Sequence, residues 1–436
     1  MSFIRNALPA LDDFRQMRIS PRKDIVAGLS VAVVALPLAL AFGVSSGVGA
    51  AAGLTTAIVA GFASALLGGS RIQVSGPTGA MTVVLIPVAA KFGISAVFAV
   101  GFLAGLILLV MTFTGAARAM RLIPVSVIEG FTVGIALLIG LQQIPMALGT
   151  SSDSSSVVFS AITAASDWLD HPSFTNLFIA ATSALFILFM NRIKPGFPAG
   201  ITTVVIATGM LMAFNLQIAA VGSIPSNLQW QGMPNFAGLP LESLIIPALS
   251  VAGLAAIEGL LCASVADSMA QLTPHNPHQE LFGQSISNLV VPLFGGIPAT
   301  AAIARTAVNV RSGAQSRLAA MVHSVILFLC IFVASDVVSK IPLSVLAGVL
   351  IATALRMIEF KKLQTFIKQT PHHLVIVPAT AVATLFLDLV EAVAIGIFVA
   401  FVLSALQNRK QRLANSLELL EIEQTLDEVV HPEDVK

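Results

Sequence analysis

The chain has 436 residues, 56% of them hydrophobic and only 10% charged, with a net charge of +1 and a mean hydropathy of +0.92. Soluble domains carry roughly 25% charged residues, so this composition excludes them and points to a protein that crosses the lipid bilayer many times. The near-zero charge excludes a nucleic-acid field, and the two cysteines, Cys262 and Cys330, both in apolar runs, supply neither a disulfide framework nor metal-ligand spacing.

Residues 1–23 carry no cleavable signal pattern and read as a cytoplasmic amphipathic lead-in. A span needs about 20 apolar residues. Runs of that kind lie near 24–43, 50–68, 72–91, 95–114, 121–141, 174–191 and 198–215, and a second set near 246–269, 279–294, 298–312, 317–337, 341–357, 373–389 and 390–407. The expectation is an all-α membrane protein of about fourteen segments in two sets of seven, with the transporter domain over 24–407 and a cytoplasmic tail over 408–436.

Lys and Arg concentrate in cytoplasmic loops. With the N-terminus inside, Arg5, Arg15, Arg18, Arg22, Lys23, Arg71, Arg118, Arg121, Arg192, Lys194, Arg311, Arg317, Arg356, Lys361, Lys362, Lys368, Arg409, Lys410, Arg412 and Lys436 fall inside, and only Lys91 and Lys340 fall outside. The loops 145–174 and 215–243 contain neither residue type, and both termini are expected in the cytoplasm, with the protein in the cell's inner (plasma) membrane. Arg305 alone is left at membrane depth.

The two halves resemble each other. "IPVSVIEGFTVGIAL" from Ile123 matches "IPLSVLAGVLIATAL" from Ile341, and "SGPTGAMT" from Ser75 faces "GGIPATAAI" from Gly295 at a similar offset. An odd number of segments per half inverts the second copy, the pattern of alternating-access transporters with a site near the midplane. Segments three and ten each hold Gly and Pro near their middle. Unwound backbone survives at membrane depth only where it lines a cavity or is buried in protein, so each reads as a short extended lead-in followed by a half-helix. The half-helices are expected to begin near Thr78 and Ala302, their N-termini forming an anion site.

Arg305 falls in the first turn of the second half-helix, where it either adds a full positive charge to that site or forms a structural ion pair with Glu258 or Asp267. Glu258 is the obvious counter-charge and a candidate for proton coupling; its alternative is a fixed hydrogen-bonding carboxyl. Asp267 is expected to pair with Arg311 or Arg317, Glu129 to lie on an interface, Asp388 and Glu391 at the outer surface, and His323 to be a packed, satisfied residue. No HExxH, nucleophile elbow or Walker loop occurs, so an enzyme has no catalytic constellation behind it. No cofactor or metal is expected.

The stretches "DIVAGLSVAVVALPLALAFGV", "GGSRIQVSGPTGAMTVV", "IPVSVIEGFTVGIA", "AIEGLLCASVADSM", "HQELFGQSISNLVVPLFGGIPATAAIARTAVNVRSGA" and "DLVEAVAIGIFVA", in this order, resemble the sulfate permease (SulP) family of anion transporters. The resemblance implies a uracil-permease-like fold with a core (24–114 and 246–337) and a gate (115–245 and 338–407). It also implies an elevator-type secondary-active carrier for sulfate-like or C4-dicarboxylate anions, coupled to H+ or Na+, with a homodimer left open. By position it assigns Thr78, Gly79, Ala80, Met81, Ala302, Ile303, Ala304, Arg305 and Glu258 to the anion site, with Leu38 and Phe42 as an apolar wall. Ala304 stands where many relatives have Ser, and the arginine motif looks closest to the bacterial dicarboxylate-type branch. Bicarbonate transport and an anion channel are the rival readings. The family's usual STAS domain is not expected after Arg412, because only a helical stretch and a polar end follow.

Overall fold

The computed structural model describes residues 8–9, 14–114, 124–150, 156–194, 196–214, 218–358, 360, 363–364, 373–387, 391–407, 409 and 415–416. Several expectations lie outside these residues: the basic residues Arg5, Arg118, Arg121, Lys361, Lys362, Lys368, Lys410, Arg412 and Lys436, the loop acid Asp388, and nearly all of the tail.

Among the described residues, helices α1 (Pro21–Ser45) and α2 (Ala50–Leu67) come first, followed by strand β1 (Ser75–Gly76), α3 (Gly79–Phe92) and α4 (Ile94–Thr114). Then come α5 (Val125–Gln142), continued by the short helix Ile144–Leu148, α6 (Val157–Asp170), α7 (Phe174–Ile193) and α8 (Ala199–Ala213). The second half holds α9 (Leu241–Ala270), α10 (Pro277–Val290), strand β2 (Thr300–Ala301), α11 (Ile303–Arg311), α12 (Leu318–Ser339), α13 (Leu343–Met357), α14 (His373–Phe386) and α15 (Glu391–Gln407). Among the described residues, seven helices, one of them α5 with its continuation, are long and apolar enough to cross a membrane; five more are apolar but shorter.

Local sequence explains the boundaries. Pro21 opens α1 in the first turn, where a missing N–H costs nothing, and the reversal into α2 uses Gly47 and Gly49, both at positive φ. The α1–α2 contact is made by backbone, since a Cβ on Gly53 would lie 2.0 Å from the Ala39 carbonyl oxygen. Pro124 and Pro342 both stand immediately before a helix with nearly the same torsions (φ −61°, ψ 140° and φ −69°, ψ 140°), so the two "IP" motifs start α5 and α13 alike.

Packing sorts the helices into two groups. α1, α2, α4, α9, α10 and α12 pack closely on one another around the strand pair, while α5 packs on α14 and α7 on α13. One apolar cluster joins the groups: it includes Leu38 and Phe42 of α1, Met81 and Leu85 of α3, and Phe131, Ile135 and Ile139 of α5. The stretch 145–174, expected to be a plain loop, contains α6. This helix buries only Ala161 and Ala164, and with two small anchors between Ser-rich and Asp-rich flanks it carries no span-like apolar run.

Candidate anion site

β1 and β2 pair antiparallel, Ser75 opposite Ala301 and Gly76 opposite Thr300, and a helix leaves each strand almost at once. Thr78 caps α3 and Ala302 caps α11, both in extended conformation, the positions where the sequence places the helix starts. The first intrahelical bonds run from Thr82 N to Thr78 O and from Thr306 N to Ala302 O. Helix geometry therefore leaves the N–H groups of Gly79, Ala80, Met81, Ile303, Ala304 and Arg305 without intrahelical acceptors. Two positive helix ends meet at one strand pair.

Irregular backbone at this depth needs partners, and side chains from distant segments supply them. Asn288 closes a two-way clamp on Ala299, donating from Nδ2 to its carbonyl and accepting its N–H at Oδ1 (2.9 and 2.8 Å). Thr56 does the same for Ile297, accepting its N–H at 2.7 Å and donating to its carbonyl at 3.0 Å. On the other lead-in, Asn309 Nδ2 donates to Ile72 O (2.7 Å), and Thr306 Oγ1 accepts Val74 N–H (3.0 Å) and faces Cys262 Sγ (3.2 Å). Val74 O in turn accepts the Ala302 N–H at 3.0 Å.

Arg305 is only 1% exposed. Its Nη2 donates to Pro77 O at 2.6 Å, while Nη1 is buried without a hydrogen-bond partner. Nη1 lies against Gly76, where an added Cβ would approach it to 2.4 Å. The guanidinium thus rests on the backbone of Gly76 and Pro77, between β1 and the start of α3. Among the described residues no carboxylate forms an ion pair with it. Glu258 is half-buried and bonds Thr78 Oγ1 at 3.3 Å, joining α9 to the start of α3.

The remaining assigned residues divide by accessibility. Ile303 is 43% exposed and Ala304 is exposed, so the first turn of α11 offers an open face. Thr78, Gly79, Ala80 and Met81 are buried, as are Leu38 and Phe42. Gly79 touches both Phe42 and the Ile139 side chain of α5; a Cβ there would lie 2.1 Å from Ile139 Cδ1. Toward the Lys91 end, Thr82 Oγ1 meets Gln142 Oε1 at 3.3 Å and Gln143 Nε2 donates to Ser45 Oγ at 3.1 Å, so polar contacts close the boundary between α5 and the α1–α3 pair. A cleft beyond them is lined by Val44, Ser45, Ile86, Gln142, Val157 and Ser160.

Two expectations are corrected. Asp267 does not pair with Arg311, Arg317 or Arg305: its Oδ2 accepts the His275 N–H and faces His275 Nδ1, both at 2.7 Å, because the chain turns back after Gln271. Arg317 is buried and donates to the carbonyls of Ala65 and Gly68, at the C-terminus of α2. His323 is buried, but its ring nitrogens make no hydrogen bond, so it is packed and not satisfied. Sequence reasoning missed Glu280, Gln284, Asn288, Thr56 and Asn309; the one available signal was polar residues inside apolar runs.

Residues 22–380 match the model of the sulfate permease family. The chain is 34% identical over 397 residues to the Bacillus subtilis (strain 168) protein named "Putative sulfate transporter YvdB", covering 87% of this chain and 73% of that one. It is 33% identical over 397 residues to the bicarbonate transporter BicA of Picosynechococcus sp., covering 88% and 70%. The solved transmembrane domain of a cyanobacterial BicA superposes with a TM-score of 0.78 at 32% identity, covering 86% of this chain and 97% of that one. With its apolar helices, its broken segments and these relatives in agreement, the chain is a multi-pass membrane protein that belongs to the sulfate permease family of anion transporters.

Proposed function

We propose that the protein is a secondary-active anion carrier whose site lies at the paired starts of α3 and α11. The observation that carries this reading is the buried Arg305, which forms no ion pair among the described residues, at two helix N-termini. A full charge about 8 Å from an anion contributes on the order of 2 kcal/mol at an effective dielectric of ~20. Two helix dipole ends add to it.

The transport cycle in this reading is of elevator type. The α1–α4 and α9–α12 group is the moving core, the α5–α8 and α13–α15 group the gate, and fourteen segments form a 7+7 inverted repeat. The like-for-like starts of α5 and α13 support the repeat. The Gly79–Ile139 contact and the Gln142 and Gln143 bonds close the Lys91 side, while Ile303 and Ala304 remain open, which fits a state accessible from the Arg311 side. Glu258 carries a proton with the anion in this reading, which its bond to Thr78, the residue that caps α3, supports.

Whole-chain similarity does not choose the substrate, since identities to a sulfate and a bicarbonate transporter are 34% and 33%. The site's own surface favours an anion that carries an apolar segment beside its charge, such as the two-carbon middle of a dicarboxylate: Leu38, Phe42, Ile303 and Ala304 supply apolar wall and no hydroxyl. A C4 dicarboxylate such as succinate or fumarate fits this better than sulfate, which seeks donors on all sides. The second reading, sodium-coupled bicarbonate transport, is favoured by the likeness to the BicA transmembrane domain. Proteoliposome uptake with sulfate, bicarbonate, succinate and fumarate in mutual competition decides among them. Succinate or fumarate competing best supports the first reading, and sodium-driven bicarbonate uptake insensitive to fumarate supports the second.

A further inference from the structure

Glu280, in the first turn of α10, is only 2% exposed and sits away from the open face of the site. Its Oε2 accepts the N–H groups of Gly69 (2.9 Å) and Ser70 (3.0 Å). Its Oε1 accepts Gln73 Nε2 (2.7 Å) and Gln284 Nε2 (3.0 Å). All four groups facing the carboxyl group are N–H donors, two to each oxygen, so Glu280 ties Gly69, Ser70, Gln73 and Gln284 together at one point. Gln284 Nε2 also donates to Ser75 Oγ at 2.9 Å. Ser75 is the first residue of β1, Gly76 is the residue on which Arg305 Nη1 rests, and the Pro77 carbonyl holds Nη2.

A continuous chain of contacts therefore runs from a rigid helix, packed on α2 and α4, to the strand that orients the guanidinium. The segment from Gly69 to Ser75 has little regular structure of its own, so the carboxylate substitutes for a helix or sheet in fixing its path. We propose that Glu280 and Gln284 are positioning residues: they set the place of β1 beneath Arg305 and so set anion affinity without touching the anion. This rests on the anion-site reading above.

The test is a double-mutant cycle on Ser75→Ala and Gln284→Leu, reading the Kd of radiolabelled sulfate, with bicarbonate and succinate as competing probes, beside the melting temperature without anion. Each single change removes the same relay contact, so each raises the Kd roughly three- to tenfold. The double variant shows no more than the larger single effect on Kd; losing a buried hydrogen bond lowers the anion-free melting temperature by a few degrees, and the rise in Kd persists well below that temperature, where every variant is folded. Glu280→Gln turns an acceptor into a donor facing donors, raising the Kd further, and Glu280→Asp restores part of the loss. If Glu280→Gln does not fold, the Ser75–Gln284 cycle still decides. Wild-type Kd in the single variants, or additive effects in the double, overturns the relay. A wild-type protein that binds none of the three anions overturns the anion-site reading and this inference with it.

Discussion

Arg305 shows how burial turns a side chain from a ligand into a source of field. Its guanidinium is held by Pro77 O and leans on Gly76, while Ile303 and Ala304 of the same helical turn are exposed. Arg305→Ala removes a buried charge that forms no ion pair among the described residues, so the variant inserts and folds; anion affinity falls on the order of 30-fold, the equivalent of about 2 kcal/mol. Arg305→Lys keeps the charge but loses the planar guanidinium whose Nη2 donates to Pro77 O, and recovers only part of the affinity. Binding assays on detergent-purified protein check both, and wild-type affinity in Arg305→Ala removes the residue from the site. Ala304, one position earlier and exposed, is the residue where a hydroxyl can reach the anion directly. Ala304→Ser shifts competition from succinate toward sulfate by adding a donor, read as the ratio of their inhibition constants. Glu258→Gln imitates a carboxyl that keeps its proton. A carrier that takes up a proton with the anion runs faster at acidic external pH, so wild-type uptake rises as external pH falls and the variant's uptake becomes flat; an unchanged pH profile takes Glu258 out of coupling.

At the scale of elements, the starts of α3 and α11 were legible because their cause is local. Gly and Pro interrupt an apolar run, and a chain in a bilayer tolerates that only where the break is buried or lines a cavity. The clamps were not legible. Thr56 reaches Ile297 and Asn309 reaches Ile72 across more than two hundred residues of sequence, and no period or spacing marks such a pair. Asp267 illustrates the opposite case: expected to meet an arginine more than forty residues away, it bonds a histidine eight residues on, because the left-handed turn at Gln271 brings His275 back. The seat of Arg305 on Gly76 and Pro77 was also hidden, since which backbone a buried side chain rests on is a tertiary outcome. The contact of α3 with α5 gives an element-level prediction. Gly79→Ala drives a methyl into Ile139 Cδ1 in this conformation, so it depopulates it. With Ile303→Cys as a reporter on the exposed first turn of α11, Gly79→Ala slows labelling by a membrane-impermeant thiol reagent added from the Arg311 side. Equal labelling rates would show that the contact does not bias the equilibrium.

For the whole molecule, one apolar cluster joins the two groups of helices, and the proposed elevator cycle has one group slide past the other along it, carrying the site. The internal likeness of the halves, the paired broken segments and the buried cation belong together in this account: the repeat makes the two half-helices, the half-helices make the site, and the sliding gives it access to each side in turn. A channel with the same selectivity site would share the first two features and lack the third. The most direct test is uptake of radiolabelled succinate and sulfate into proteoliposomes under an imposed inward proton gradient, for the wild-type protein and Arg305→Ala side by side. The account predicts that wild-type vesicles accumulate anion above the external concentration, that collapsing the gradient abolishes the accumulation, and that Arg305→Ala vesicles do not accumulate. Flux that only equilibrates the two sides, or accumulation by Arg305→Ala at the wild-type rate, would contradict it.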